Sequence, residues 1–358
     1  MTLLQTRPRA ASGSPRDGAS PFRSHRRALR RRSTIVLSSL VASVIVLALV
    51  SLMLGSYVLS PGDVLASVLR IGSDPSTDFI VQGLRMPRVE TAVLVGLALG
   101  TAGVLFQRVL GNPLASPDLI GIASGASAAT VAGIVIGGLG GYALSAAAIG
   151  GALAAAAVIL ALAWRGGVVG YRFILVGIGV GAFLESITGF LLSRATVADA
   201  RAATSWIIGS IGLASETDLA ALAVAVIVLL PTAVLLGRRL RIIELGADTA
   251  TALGVRVQPA QLGILAVAVV LVALATAAAG PIAFVALMAG PIAGRLLGSS
   301  GGRTVAASLV GTLIVLVADL IAQHLAPTPL STGIVTGLVG APYIAWLLIR
   351  SDRRRPSA

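Results

Sequence analysis

Apolar residues in this chain run in long unbroken stretches, and each is about as long as a bilayer crossing, which takes roughly 17 to 25 residues as a helix. Ten such stretches are read, near residues 35–59, 89–109, 114–137, 142–164, 171–194, 218–236, 260–279, 281–298, 304–325 and 332–350. The expected class is therefore an all-α integral membrane protein of about ten transmembrane helices. Residues 1–33 show no apolar period and are rich in Arg, Ser, Pro and Gly, so a disordered basic tail is expected there. Residues 34–350 form the membrane domain, and 351–358 a second short tail. Two connections stand out. Residues 195–217 are too polar to span and too amphipathic for a simple loop, which fits a short helix on the outer face. Residues 237–259 are the longest inside connection, with a helix-like "ELGADTATALGV" stopped near Gly254, and they predict a cytoplasmic contact surface or a solvated loop.

Interruptions of the apolar pattern matter because a free backbone group in lipid costs several kcal/mol. Pro113, Pro117, Pro281 and Pro291 must therefore lie at an interface or be buried in protein. The stretch "GNPLASPDLIG" from Gly111 follows Arg108 at the end of the second span. Pro113 removes a helical donor and biases Asn112 away from the α region. A turn reversing the chain at the inner face is expected, with Asn112, Pro113 and Pro117 in structural roles. Small-residue spacings such as Gly96-x-x-x-Gly100, Gly177-x-x-x-Gly181 and Gly333-x-x-x-Gly337 predict close helix contacts.

Composition agrees: 56% of the 358 residues are hydrophobic and only 11% charged, with a mean hydropathy of +0.96. There is no cysteine, and the two histidines, His25 and His324, are far apart. A thiolate or multi-histidine metal site is thus unavailable, and any metal passes through as a complex. Lysine is absent as well, so the phosphate loop that ends in Gly-Lys-Ser/Thr cannot form. If ATP drives the protein, another subunit hydrolyses it.

The net charge of +13 could suggest nucleic acid, so the placement of the 27 arginines decides. Nine fall in residues 1–33, next to the first span, which puts that end in the cytoplasm. Threading the spans from there leaves 22 arginines inside and five outside, with both termini cytoplasmic. No nucleic-acid partner is needed; the basic face meets lipid. "RRRSTIVL" has a twin-arginine look, but its apolar run is too long for a secretory signal and further spans follow. Glu185 and Asp319 sit at membrane depth, where a carboxylate costs roughly 3 kcal/mol unless shielded. Each is either part of a proton or cation relay or a buried, hydrogen-bonded structural carboxyl. The relay reading would make the chain a proton-coupled secondary transporter.

The sequence Leu84-Arg85-Met86-Pro87-Arg88 and the block "GLALGTAGVLFQRVLGNPLASPDLIGIASGAS" from Gly96 resemble the iron-siderophore and vitamin B12 ABC-importer permeases, the type II import family. "WIIGS" from Trp206, "ELGADTATALGV" from Glu244, "GPIAFVAL" from Gly280, "ADLIAQ" from Ala318 and "GIVTGLVGAPYIAWLL" from Gly333 follow in the same order, and "LASPDLIGI" is closest in look to permeases for catecholate ferric siderophores. The resemblance implies a ten-helix permease of the bacterial cytoplasmic membrane importing an iron(III)-siderophore, with vitamin B12 or haem as alternatives. It implies no cofactor and no catalysis by this chain. The implied partners are two cytoplasmic ATPase subunits, a sister permease, as a heterodimer rather than a homodimer, and an extracytoplasmic binding protein.

By position, the resemblance gives Arg85 and Arg88 to docking of the binding protein. It gives Glu244, Leu245, Gly246, Asp248, Ala252, Leu253 and Gly254 to coupling with the ATPase. Thr196, Trp206, Gly209 and Ser210 fall in the external gate segment and Val168, Val169 and Gly170 near the inner gate; Glu185 is a path candidate from its own surroundings, because Gly177, Gly179 and Gly181 leave room for a cavity nearby. Three departures stand out. Gly111 replaces the usual arginine before Asn112-Pro113-Leu114, Gln323 stands where the B12 branch has a docking arginine, and the proline of the eighth span is shifted by one, to Gly290-Pro291.

Overall fold

Prolines and short polar side chains mark where the helices begin. The computed structural model describes residues 21–72, 74–165, 170–298 and 301–352. Helix α1 (Pro21–Met53) is followed by α2 (Pro61–Leu69), which starts at a proline behind the cap Ser60, and α3 (Pro75–Asp78), which starts at a proline behind Asp74. A π-helical turn, Phe79–Arg85, then runs straight into α4 (Met86–Val109). Next come α5 (Ile122–Val135), α6 (Tyr142–Ala163), α7 (Gly170–Arg194) and α8 (Val197–Ile208). Helix α9 (Glu216–Ile243) opens with a reciprocal Ser215–Asp218 capping box, which satisfies two of its orphan donors. The six-residue α10 (Ala247–Ala252), α11 (Val257–Ala279), α12 (Val285–Leu297), α13 (Arg303–His324) and α14 (Thr332–Asp352) complete the chain, and no strand occurs among the described residues.

Among the described residues, seven helices are long and apolar enough to cross a membrane, and Ile122–Val135, Val285–Leu297 and Thr332–Leu347 are shorter apolar helices. The shortening of α5 and α12 has a backbone cause. The expected third and eighth spans each begin with a non-helical stretch, 110–121 and 280–284, at Pro113, Pro117 and Pro281. The first span differs in the other direction. Its helix reaches back to Pro21, so residues 21–33 of the expected disordered tail are helical. "PFRSHRRALRRR" explains this, with proline at the first helical position and mostly good helix formers behind it. Residues 1–20 and 353–358 of the two expected tails lie outside the described residues. The helices expected within 195–217 and 237–259 are α8 and α10.

Helix α4 sits at the centre, packed by α9, α11, α12 and α13, while α5, α6 and α7 form a second group joined to it through α11. Most of α4, α11 and α13 is buried, whereas α1, α7 and α9 are largely exposed. Glycine decides this packing. A Cβ on Gly96 or Gly100 would strike the α13 backbone at Thr312 or Ala307, and one on Gly103 would strike the Ala286 carbonyl of α12. Gly177 and Gly181 likewise admit a neighbour, whereas Gly337 meets nothing within 4 Å.

Candidate functional site

Breaks in the helical ladder leave backbone groups that need partners, and here they converge. The segment 110–121 starts as the expected turn: Asn112 Oδ1 accepts from the Leu114 N–H at 2.9 Å, and the Asn112 carbonyl accepts from the Ala115 N–H. It does not stay at the surface. Ala115, Ser116, Pro117 and Ile120 are buried, and Gly121 adopts φ +85° against Gly177 and Gly181. Those glycines lie roughly 10 to 16 Å along α7 at 1.5 Å per residue. The turn expected at the inner face therefore continues into a non-helical stretch that leads to the start of α5, buried as such backbone must be.

The second break, 280–284, meets this segment. Phe284 has a left-handed φ of +68°, unusual for a residue with a Cβ. Asp118 accepts from its N–H while donation from Ser116 Oγ (3.2 Å) holds the carboxylate. The segment from Thr196 to Ser210, expected as an external gate, is pinned to the same region. Ser210 N–H donates to the Ala279 carbonyl at 2.8 Å, and Gly333 N–H to the Gly209 carbonyl at 3.1 Å. Trp206 is buried, and Thr196 caps α8 through Asp199. Of the inner-gate candidates, Gly170 starts α7 against the Leu110 backbone, and Val168 and Val169 lie outside the described residues.

The proline shift in the eighth span has a local explanation. Pro291 has no N–H, so the Leu287 carbonyl, four residues earlier, loses its helical donor. Gln107 of α4, 7% exposed, supplies one instead, Nε2 to the Leu287 carbonyl at 3.0 Å. Gly290 makes the room, because a Cβ there would collide with Gln107 Oε1. Gln107→Leu is expected to cost about 1–3 kcal/mol through the orphaned carbonyl, read as a lowered unfolding temperature in detergent; an unchanged temperature would refute the bond's importance. The donor itself was not foreseen, although a proline inside an apolar helix signals that one is needed.

The arginines assigned to docking point into the protein. Arg85 donates to the carbonyls of Leu52, Met53 and Tyr57 at 2.5 to 3.0 Å, closing the end of α1. Arg88 forms a bidentate pair with Asp319, both bonds at 2.9 Å. Gln323 Nε2 (2.7 Å) and Thr332 Oγ1 (2.8 Å) also donate to Asp319, so both its oxygens are doubly engaged. This joins α4, α13 and the start of α14. Gln323, in place of a docking arginine, is part of this cluster.

Glu185 is different. It lies on an exposed face of α7 with Gly179, Ala182, Ser186 and Gly189, and its hydrogen bond is a long one from Ser124 Oγ, 3.3 Å. In the segment expected to couple to the ATPase, Glu244 is drawn back to Arg108, Nε to Oε1 at 2.8 Å and Nη2 to Oε2 at 3.2 Å. Leu245 and Leu253 are 66% and 62% exposed, Gly246, Asp248, Ala252 and Gly254 are exposed too, and Ala250 anchors α10 from its buried side. Among the described residues, no three of His, Cys, Asp and Glu are grouped to hold a metal ion.

The chain resembles known proteins. The chain is 38% identical over 327 residues to the ferric enterobactin transport system permease of Escherichia coli (strain K12), covering 91% of this chain and 98% of that protein. It is 40% identical over 305 residues to the achromobactin transport system permease of Dickeya dadantii (strain 3937), covering 84% and 87%. A metal-chelate type ABC transporter solved in an inward-facing conformation superposes with a TM-score of 0.76 at 25% identity, covering 88% of this chain and 99% of that one. The fold is that of the type II importer permeases. The FecCD transport family matches residues 43–350, and the chain belongs to that family of membrane-spanning ABC permeases.

Proposed function

We propose that this chain is the permease subunit of an ATP-driven importer that moves an iron(III)-siderophore across the bacterial cytoplasmic membrane. The ten apolar helices cross it with both termini in the cytoplasm, a sister permease faces this one, two ATPases sit below and a binding protein delivers the chelate above. The relatives named above act on ferric enterobactin and achromobactin, which supports the chelate class. The observation that carries the reading is α7. A carboxylate on an outward face at membrane depth would cost roughly 3 kcal/mol against lipid, so that face is covered by the sister permease across an aqueous path. Because the native chain has no cysteine, Ser186→Cys gives a clean probe. A membrane-impermeant maleimide should label it, and labelling only by a lipid-soluble reagent would place α7 in lipid and refute the path.

Coupling falls on α10, where the exposed Leu245 and Leu253 that flank the helix fit an apolar groove in the ATPase. Leu245→Asp with Leu253→Asp is expected to abolish co-purification of the ATPase; full retention would move the contact elsewhere. For docking we propose a narrower role for Arg85 and Arg88: they shape the outer rim, and direct contact is limited to whatever guanidinium edge their internal bonds leave.

A proton-coupled mechanism is the competing reading that Glu185 raises. Asp319 offers it little, since hydrogen bonds from Arg88, Gln323 and Thr332 already occupy both of its carboxylate oxygens. Glu185→Gln should then lower ferric-siderophore uptake by less than about tenfold, far short of the effect of removing an essential proton carrier. Complete loss of uptake with ATPase activity intact would favour the proton-coupled mechanism.

A further inference from the structure

At the end of the bundle that carries α10, the last turns of α4 and α9 and the first turn of α13 enclose a cavity of about 230 Å3, whose lining includes Arg108, Arg241, Arg303, Glu244, Thr304 and Val234. Three guanidiniums face one carboxylate. Arg108 is only 9% exposed and spends Nε and Nη2 on Glu244, leaving Nη1 beside Gly237, where a Cβ would stand 3.6 Å away. No ion pair of Arg241 or Arg303 occurs among the described residues. The first turn of α13 opens at the same place, capped by Gly302 with no side-chain bond. The site thus gathers spare guanidinium donors and the positive end of a 22-residue helix, and it lacks the negative charge that would balance them.

We propose that this cavity binds a phosphate group, supplied by the headgroup of an anionic phospholipid. Guanidinium forks match phosphate oxygens in pairs, and a helix start adds N–H donors aimed at an anion. Val234, a deeper wall two turns back along α9, offers apolar surface to the glycerol end of a lipid, which a soluble phosphate would not use. The lipid would brace α9 against α13 above the coupling helix, next to the Arg108–Glu244 pair that ties α4 to the start of that segment.

The full-length chain in nanodiscs of phosphatidylcholine with a minor share of phosphatidylglycerol, released and weighed by native mass spectrometry, tests the site without any transport readout. Its failure is therefore separable from failure of the importer reading. The native chain should retain phosphatidylglycerol over phosphatidylcholine, and Arg241→Gln with Arg303→Gln should cut that retention by roughly thirty-fold, the factor given by about 1 kcal/mol for each basic residue near an anionic surface. The charge-matched pair Arg194→Gln with Arg201→Gln, at the other end of α7 and on α8, should retain it fully, and size-exclusion profiles confirm that each variant is folded. Equal retention by native and Arg241/Arg303 variants would overturn the site. Displacement of the bound lipid by excess inorganic phosphate would overturn the lipid as its occupant in favour of a soluble phosphate.

Discussion

Asp319→Ala is expected to destabilise the protein by about 3–5 kcal/mol, the usual consequence of removing one partner of a buried ion pair. The loss arises because Arg88 remains: its guanidinium, largely enclosed, would face apolar α13 with no counter-charge. Gln323 and Thr332 would lose their acceptor in the same step, and the start of α14 would come away from α13. The readout is the apparent unfolding temperature of the purified chain in detergent. Arg88→Asp with Asp319→Arg should recover part of the loss, since the charges are exchanged and the hydrogen bonds only partly restored. This experiment also separates the two roles open to Arg88. If its main role were docking, Arg88→Gln would leave the unfolding temperature unchanged and weaken the binding protein in a salt-dependent way. A drop in unfolding temperature, with little salt-dependent loss, marks it as the internal clamp.

Gly121→Ala should be nearly as damaging, for a different reason. Its φ of +85° costs a residue with a Cβ about 1–2 kcal/mol, and that Cβ would lie 2.8 Å from the Gly181 Cα, backbone against backbone with nothing able to rotate away. Overpacking of this kind adds about 1–3 kcal/mol. Gly111→Ala is the matched control, because Gly111 has φ +63° but nothing within 4 Å. The difference between the two variants isolates the close approach of the 110–121 stretch to α7. Gly121→Ala is therefore expected to fall well below Gly111→Ala in both stability and ferric-siderophore uptake. Equal behaviour would mean that only backbone strain matters and that the contact with α7 is dispensable.

Helices defined by apolar length alone were legible from the residues. The expected 142–164, 171–194, 260–279 and 304–325 correspond to Tyr142–Ala163, Gly170–Arg194, Val257–Ala279 and Arg303–His324. Local chemistry also announced each interruption, through Pro113, Pro117, Pro281 and Pro291. It did not reveal where the interruptions go. The path of 110–121 depends on the space beside Gly177 and Gly181 and on the Phe284 N–H, which are tertiary circumstances with no local trace. The same holds for Arg88 and Asp319, 231 positions apart: each carried a signal as a charge near or in a membrane span, but nothing in either neighbourhood named the other. Pro291 shows an intermediate case. It implied an orphaned carbonyl at Leu287, and Gly290 marked the cleared space, so only the identity of Gln107 as the donor needed the structure. The family resemblance carried residue roles further than the physics of single residues did, and at Arg85, Arg88 and Glu244 the structure adds internal bonds that neither announced.

Transport itself tests the central claim most directly. Vesicles containing this chain, its sister permease and the ATPases should accumulate a labelled ferric siderophore only when the binding protein is present on the outer side and ATP on the cytoplasmic side. A proton gradient without ATP should give no uptake. Uptake driven by the gradient alone, or accumulation without ATP, would contradict the account.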